Sequence, residues 1–416
     1  MSRKPAWIAA LGLLAAALAV ALLLGEGLLR LAGQSYYWAI AKRPDPILGW
    51  RPPPHIAAWQ RFEGAALVRT NGRGFRDDDH PRRKPPGTLR IAVLGDSFTE
   101  AVQVPIEATW WQVMSKRLRG PDCALAKPLE TLSFAVSGYS TAQSLLAWRA
   151  HARDFAPDAA VLAFFIGNDL TENHPALDAE PLRPYFRLRD GELVLDDDFR
   201  RGRVYRKATS APGQARQWLL AHSRIAQLFV QARDALRLRA FAKAAPPGDR
   251  AAPAAEPREP GVDNAVYRAP ADAVWRESWQ ATEAMLAAFA REVRSAGAEP
   301  VLMLIGTGAQ VHPDPRVPRG FAAALGVADL GYPVRRLLDA AGRHGMAVLN
   351  LPALLAAQAE RDDALLHGFP GGRPGLGHWN AAGHAAAGAA AAALLCDQLA
   401  GAAAAPGGAA AAPAVP

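Results

Sequence analysis

From Leu89 onward, short β-rich apolar runs alternate with helix-patterned segments, and this alternation restricts the chain more than any other feature. The expected strands are 89–94, 131–136, 159–166, 300–305 and 347–349. Helix patterns fall at 106–119, 142–154, 271–296 and 333–344. Segment 159–166 is almost continuously apolar, as a strand covered on both faces must be. Such alternation specifies a parallel sheet with helices on both sides. The expected fold is therefore α/β: a doubly wound, five-stranded parallel sheet in the flavodoxin-like order 2-1-3-4-5.

The pattern is interrupted once. Residues 172–265 hold a Pro-containing polar stretch, a hairpin candidate around Arg189-Asp190-Gly191-Glu192, an amphipathic segment at 221–238 and a Pro/Ala-rich run at 244–260. They read as an insertion that leaves directly from Asn168-Asp169 and sits over the active face. A final helix is expected at 380–399, with Asn380 as its N-cap. The Ala/Pro/Gly tail at 401–416 is expected to be disordered.

The N-terminus carries a different signal. Ser2-Arg3-Lys4 is basic and 6–24 is uncharged and apolar, a run of about 19 residues that covers roughly 28 Å as a helix. A cleavable signal has an apolar region of only about 7–15 residues, so an uncleaved anchor is expected, with cleavage after the small residues near Ala21 as the alternative. Arg3 and Lys4 then lie in the cytoplasm and the rest of the chain outside. Glu26 and Arg30, one turn apart, are expected as a solvated pair at the membrane surface. Residues 1–30 are thus the anchor, 31–88 an irregular Pro-, Arg- and Trp-rich juxtamembrane spacer, and 89–400 the catalytic domain.

Composition excludes several classes. A net charge of +8 over 416 residues has no accompanying stripe of aromatics, so no nucleic-acid partner is expected. Asp77-Asp78-Asp79 is followed by Arg82-Arg83-Lys84 and reads as a solvated loop, and His378 and His384 lack a zinc-protease spacing. Neither a metal nor an organic cofactor is expected. Cys123 and Cys396, far apart and in apolar contexts, are expected as buried free thiols, a long-range disulfide being the alternative outside the cytosol.

Four short motifs carry the chemistry: Gly95-Asp96-Ser97, Val136-Ser137-Gly138-Tyr139, Gly167-Asn168-Asp169 and His378-Trp379-Asn380-Ala381-Ala382-Gly383-His384. The first three follow strands 1, 2 and 3. In the order 2-1-3-4-5 these strands are neighbours, so three motifs converge where ligands bind in open α/β sheets. The long segment 351–377 can carry His378 back from strand 5, roughly 14 Å away. A nucleophile, oxyanion donors and a base in one place point to serine-dependent acyl hydrolysis or transfer.

The ordered set resembles the SGNH (GDSL-type) hydrolase superfamily over roughly 89–400. Together with the membrane segment and Gly74-Phe75-Arg76-Asp77, the chain is similar to bacterial membrane-anchored members. The resemblance implies Ser97 as nucleophile and His378 as base. It implies an oxyanion hole from the Ser97 and Gly138 amides and the Asn168 side chain. The family also places an aspartate two or three residues before the histidine, where this chain has Leu376 and Gly375. We expect a Ser–His dyad oriented by a backbone carbonyl; the alternatives are Asp362 or Asp363 reaching in, or weak or absent activity. The expected function is a serine esterase anchored in the bacterial inner membrane, facing the periplasm and cleaving O-acyl, plausibly O-acetyl, esters on envelope polysaccharide. The alternatives are a polysaccharide O-acetyltransferase with the same residues and a non-catalytic glycan-binding scaffold.

Overall fold

The computed structural model describes residues 6–121, 123, 125, 127–244, 257–370 and 372–404. Arg3 and Lys4, residues 245–256 of the Pro/Ala-rich run and the tail beyond 404 lie outside the described residues. Helix α1 (Ala6–Leu31) matches the apolar N-terminal run and extends one turn past Glu26. The segment read as an irregular spacer instead forms two antiparallel hairpins, β1 (Arg43–Asp45) with β2 (Gly49–Arg51) and β3 (Ala57–Gln60) with β4 (Ala66–Arg69). Its Trp50 and Phe75 are fully buried in the main core.

The α/β unit then begins with β5 (Leu89–Leu94), the one-turn helix α2 (Ser97–Glu100) and α3 (Trp110–Leu118). Strand β6 (Leu129–Ser133), α4 (Thr141–Ala147), β7 (Ala159–Phe165) and the short α5 (Asp169–Glu172) follow. The insertion contributes the hairpin β8 (Tyr185–Arg189) and β9 (Glu192–Asp196), then α6 (Arg203–Thr209), α7 (Ala211–His222) and α8 (Arg224–Ala244). Helix α9 (Ala273–Ser295), β10 (Glu299–Ile305), α10 (Arg316–Leu325), α11 (Tyr332–Arg343), β11 (Ala347–Asn350), α12 (Leu351–Asp362) and α13 (Ala381–Ala404) complete the chain. Helices α10 and α12 were not expected; α12 occupies the first half of what reads as a loop before His378.

The central sheet has the order β11-β10-β7-β5-β6, every pair parallel, which is the expected 2-1-3-4-5. Side chains alternate between two cores. Leu94, Leu162 and Leu304 point to the face covered by α4, α9 and α11, while Val93, Val161 and Met303 point to the face covered by α3, α12 and α13. Each large apolar side chain so buried contributes about 1.5–3 kcal/mol, and double coverage explains why these strands read as continuous apolar runs.

The cysteines correct the expectation of free thiols. Cys123 and Cys396 form a disulfide with a Cα–Cα distance of 5.8 Å. The reason is tertiary: α13 packs alongside α3, which brings together residues 273 positions apart. In the chain-entropy account a loop of that size removes roughly 5 kcal/mol of denatured-state entropy.

The insertion also differs from expectation. Among the described residues, its two ends are the parts that reach the C-terminal ends of the central strands. Its middle packs on α1 and the juxtamembrane segment, where Leu220 joins a small core with Tyr37, Ile40 and Val68. Glu26 and Arg30 do pair, at 2.8 Å. Glu26 additionally accepts hydrogen bonds from Ser223 Oγ (3.1 Å) and from the amides of Arg224 (2.9 Å) and Ile225 (3.1 Å), capping the start of α8.

Candidate active site

Ser97 opens α2 at the C-terminal end of β5. The preceding Asp96 caps that turn, accepting the Phe98 amide at 2.9 Å. Asp96 is fully buried, and burial pushes its carboxyl up to about 6 against the Phe98 hydrogen bond and the nearby His378. It shapes the turn that carries Ser97. Behind it, Arg76 donates to the carbonyls of Glu100 (2.8 Å), Ala101 and Val104 (2.7 Å), while Asp77 accepts the Ser133 amide at 2.8 Å. The Gly74-Phe75-Arg76-Asp77 stretch is therefore a clamp on the loops after β5 and β6. Asp77 is buried, unlike the solvated loop expected of it; no cluster of metal-ligating side chains occurs among the described residues.

His378 arrives from the far side of the sheet. The His367–Trp379 bridge and the Gly368 amide, which donates to the His378 carbonyl at 2.9 Å, hold its backbone. Phe98 packs against its ring at 5.1 Å. Nε2 of His378 lies 2.9 Å from Ser97 Oγ. The expected pair is thus in hydrogen-bonding contact.

The expected dyad is not what stands behind it. Nδ1 of His378 lies 2.5 Å from Glu63 Oε2, and the His378 amide donates to Glu63 Oε1 at 3.2 Å. Neither Asp362 nor Asp363 reaches the ring: α12 ends at Asp362 and Asp363 caps it in the left-handed region. Glu63 sits in the turn between β3 and β4, whose loop is tied by Gln60 Nε2 donating to the Glu63 carbonyl at 2.7 Å. Burial alone would raise the Glu63 carboxyl, but the hydrogen bond and positive charge of His378 outweigh it and hold it below the ordinary value. Two glycines make the approach possible. At Gly64 (φ +64°) a Cβ would lie 2.2 Å from the Gln103 carbonyl oxygen, and at Gly377 (φ +84°) one would lie 2.9 Å from Glu63 Oε1.

Gly138 and Asn168 follow β6 and β7, the neighbours of β5, as expected. Glu100, at the end of α2, ties the first to the Ser97 turn, accepting the Ser137 amide at 2.7 Å. Arg183, from the start of the insertion, joins the two: its Nη1 donates to the Gly138 carbonyl at 3.0 Å and to Glu172 Oε2 at 3.2 Å. The other oxygen of Glu172 accepts Asn168 Nδ2, also at 3.2 Å. Burial pushes the Glu172 carboxyl up to about 7 even beside that guanidinium. Asn168 Nδ2 has a second hydrogen free to donate. Ser97, Gly138, Asn168 and His378 are all half-buried, hence reachable from solvent, amid a buried surround. His384 lies buried in the first turns of α13, neutral because burial lowers it to about 3. Asn380 caps that helix, accepting the Ala382 and Gly383 amides at 3.0 and 3.1 Å.

The far end of the insertion closes the rim. Glu259 accepts the amides of Gly308 (2.8 Å), Ala309 (2.9 Å) and Gly377 (3.4 Å), next to the histidine. Sequence reasoning missed Glu63, Arg183 and Glu259. Each is a lone charged residue without a motif; for Glu63 the sole signal is negative, the absence of an acid at 375 and 376.

No protein-family profile matches the chain, and comparison with curated proteins finds no match. Solved structures do align with it. An acetylxylan esterase from Geobacillus stearothermophilus, Axe2, is 10% identical, with 74% of this chain and 94% of that one covered and a TM-score of 0.37. TesA is 14% identical, covering 74% and 98%, at a TM-score of 0.32. The psychrotrophic esterase EstA from Pseudoalteromonas sp. is 10% identical, also covering 74% and 98%, at 0.32.

Proposed function

We propose that the chain is a serine esterase whose catalytic triad is Ser97, His378 and Glu63. The observation that carries this reading is the continuous hydrogen-bonded line from Ser97 Oγ through both ring nitrogens of His378 to the Glu63 carboxylate. A free serine hydroxyl is a weak nucleophile and needs an adjacent base. Nε2 takes the Oγ proton as Oγ attacks an ester carbonyl; Nδ1–H donates to Glu63, which fixes the tautomer and stabilises the imidazolium. The same proton passes to the departing alkoxide, leaving an acyl-Ser97 ester. Water, deprotonated by Nε2, then releases the acid. The amides of Ser97 and Gly138 and Nδ2 of Asn168 would receive the oxyanion, each donor being worth about 3–4 kcal/mol of barrier.

The substrate we favour is an O-acyl, in particular O-acetyl, ester on cell-envelope polysaccharide. Helix α1, apolar and long enough to span a membrane, supports a surface-tethered enzyme, and the disulfide fits an oxidising compartment outside the cytoplasm. The carboxylate of Glu63 beside His378 Nδ1 favours a catalytic reading over a glycan-binding scaffold.

An ester-directed phosphonate should label the full-length protein on Ser97 and leave Ser97→Ala unlabelled. An unlabelled wild type beside a labelled control hydrolase would sink the reading. A second result tests the oxyanion arms: Arg183→Ala frees the Gly138 loop and Glu172 together, so kcat for p-nitrophenyl acetate should fall about 10–100-fold. An unchanged kcat would show that the Arg183–Glu172 pair does not position them.

A further inference from the structure

A second cavity lies away from this site. It has a volume of about 940 Å³ and opens between residues 39–57 of the juxtamembrane segment and residues 208–224 of the insertion; no triad or oxyanion residue lines it. Its permanently charged lining is cationic: Lys42, Arg43, Arg216 and Arg224, with no Asp or Glu among the lining residues. His55 and His222 also line it, His55 with Asp79 at 3.8 Å. Lys42 pairs with Glu180 at 2.7 Å, and Arg224 donates to Gln227 at 3.0 Å. The exposed guanidiniums of Arg43 and Arg216 have no hydrogen-bond or ion-pair partner among the described residues. Burial and the neighbouring Arg30 hold the Arg224 guanidinium below its ordinary value despite Glu26, as expected where positive charge is crowded.

The cavity lies beside the end of α1. Glu26 caps α8 and Arg30 bonds the His222 carbonyl, so the turn between α7 and α8 is fixed beside residues 26–30 of α1. Leu24, Leu28 and Leu31 of α1 stay exposed, Leu31 by 88%, so the apolar face of the helix continues past that turn. With α1 read as a membrane span, the turn falls at the depth where hydrocarbon meets headgroups. Trp218 and Phe229 flank it, 64% and 74% exposed, and Trp is the residue type that favours this boundary. Trp218 also lines the cavity, giving it an apolar wall beside the cations.

We propose that this cleft binds the phosphate of a membrane phospholipid, with Arg43 and Arg216 on the phosphate and Trp218 against the glycerol–acyl junction. The inference rests on the reading of α1 as a membrane span. Arginine suits the role because its planar fork holds phosphate oxygens in pairs.

The test uses the full chain in an uncharged maltoside detergent, titrated with short-chain phosphatidylglycerol and, separately, with glycerol phosphate, and read by native mass spectrometry. One lipid per chain should bind saturably and more tightly than glycerol phosphate. R43A/R216A should weaken lipid binding about tenfold through the loss of two solvent-exposed charge contacts, whereas R43K/R216K should retain most of it. An unaltered thermal midpoint in both variants separates lost contacts from lost folding. Undiminished lipid binding by R43A/R216A would overturn the site. Equal binding of glycerol phosphate would overturn the lipid and leave a soluble phosphate as the ligand. Alkaline carbonate extraction of membranes tests the span separately. Release of the chain would overturn both span and lipid, while retention without titratable binding would overturn the cleft alone.

Discussion

Ser97→Ala and His378→Ala are each expected to lower p-nitrophenyl acetate turnover by about 10⁶-fold, and combining them should cost little more. The non-additivity follows from the geometry. Ser97 Oγ and His378 Nε2 are 2.9 Å apart and act in one proton transfer, so removing either ends the same step. What survives is the rate due to substrate binding and the oxyanion donors. Equal rates in wild type and both variants would assign the hydrolysis to something other than this site. Asp96→Asn serves as the contrasting control, because Asp96 caps the nucleophile turn and does not touch the imidazole's acceptor.

Glu63→Gln is expected to lower kcat by about 10⁴-fold with KM little changed. Glutamine keeps the shape of the side chain and can accept one hydrogen bond, but it cannot balance an imidazolium. Its amide can also donate to Nδ1, which selects the wrong tautomer. Retention of full kcat in Glu63→Gln would reduce the triad to the Ser–His dyad. The same variant carries a stability signature. In the fold the Glu63 carboxyl is held below its ordinary value of 4.5. Its contribution to stability is therefore present above pH 4.5 and is lost as the pH falls through the lower folded value. A series of thermal midpoints against pH should show this acid-side loss in the wild type and a smaller one in Glu63→Gln.

The position of Glu63 explains why it escaped sequence reasoning. It lies 315 residues from His378, in a hairpin turn of a segment that reads as a spacer. Nothing in Phe62-Glu63-Gly64 marks it, because the pairing depends on Gly64 packing against the loops at Gln103 and Phe369. Arg183 is similar: its role exists only once the Gly138 and Asn168 loops stand side by side.

Much else was legible locally. Alternating apolar runs specified the sheet, since a strand buried on both faces leaves a continuous apolar record in the chain. Strand order then brought Ser97, Gly138 and Asn168 to adjacent strand ends, and the Gly95-Asp96-Ser97 turn carries its own cap. Asp190-Gly191 marked the β8–β9 hairpin, and in the fold both residues adopt the positive φ values, 50° and 83°, that such a turn requires. Helix α12 was missed because its pattern abuts β11 with no intervening turn residue.

The sequence by itself thus determined the sheet, the positions of Ser97 and the apolar N-terminal helix, and it singled out His378 as the partner of Ser97, all of which is written in local periodicity or short motifs. Only the tertiary structure decided which acid orients the histidine, that Cys123 meets Cys396, and where the α7–α8 turn lies against α1. Those contacts join segments remote in the chain, and a lone Glu, Cys or Arg acquires its partner only when packing supplies it.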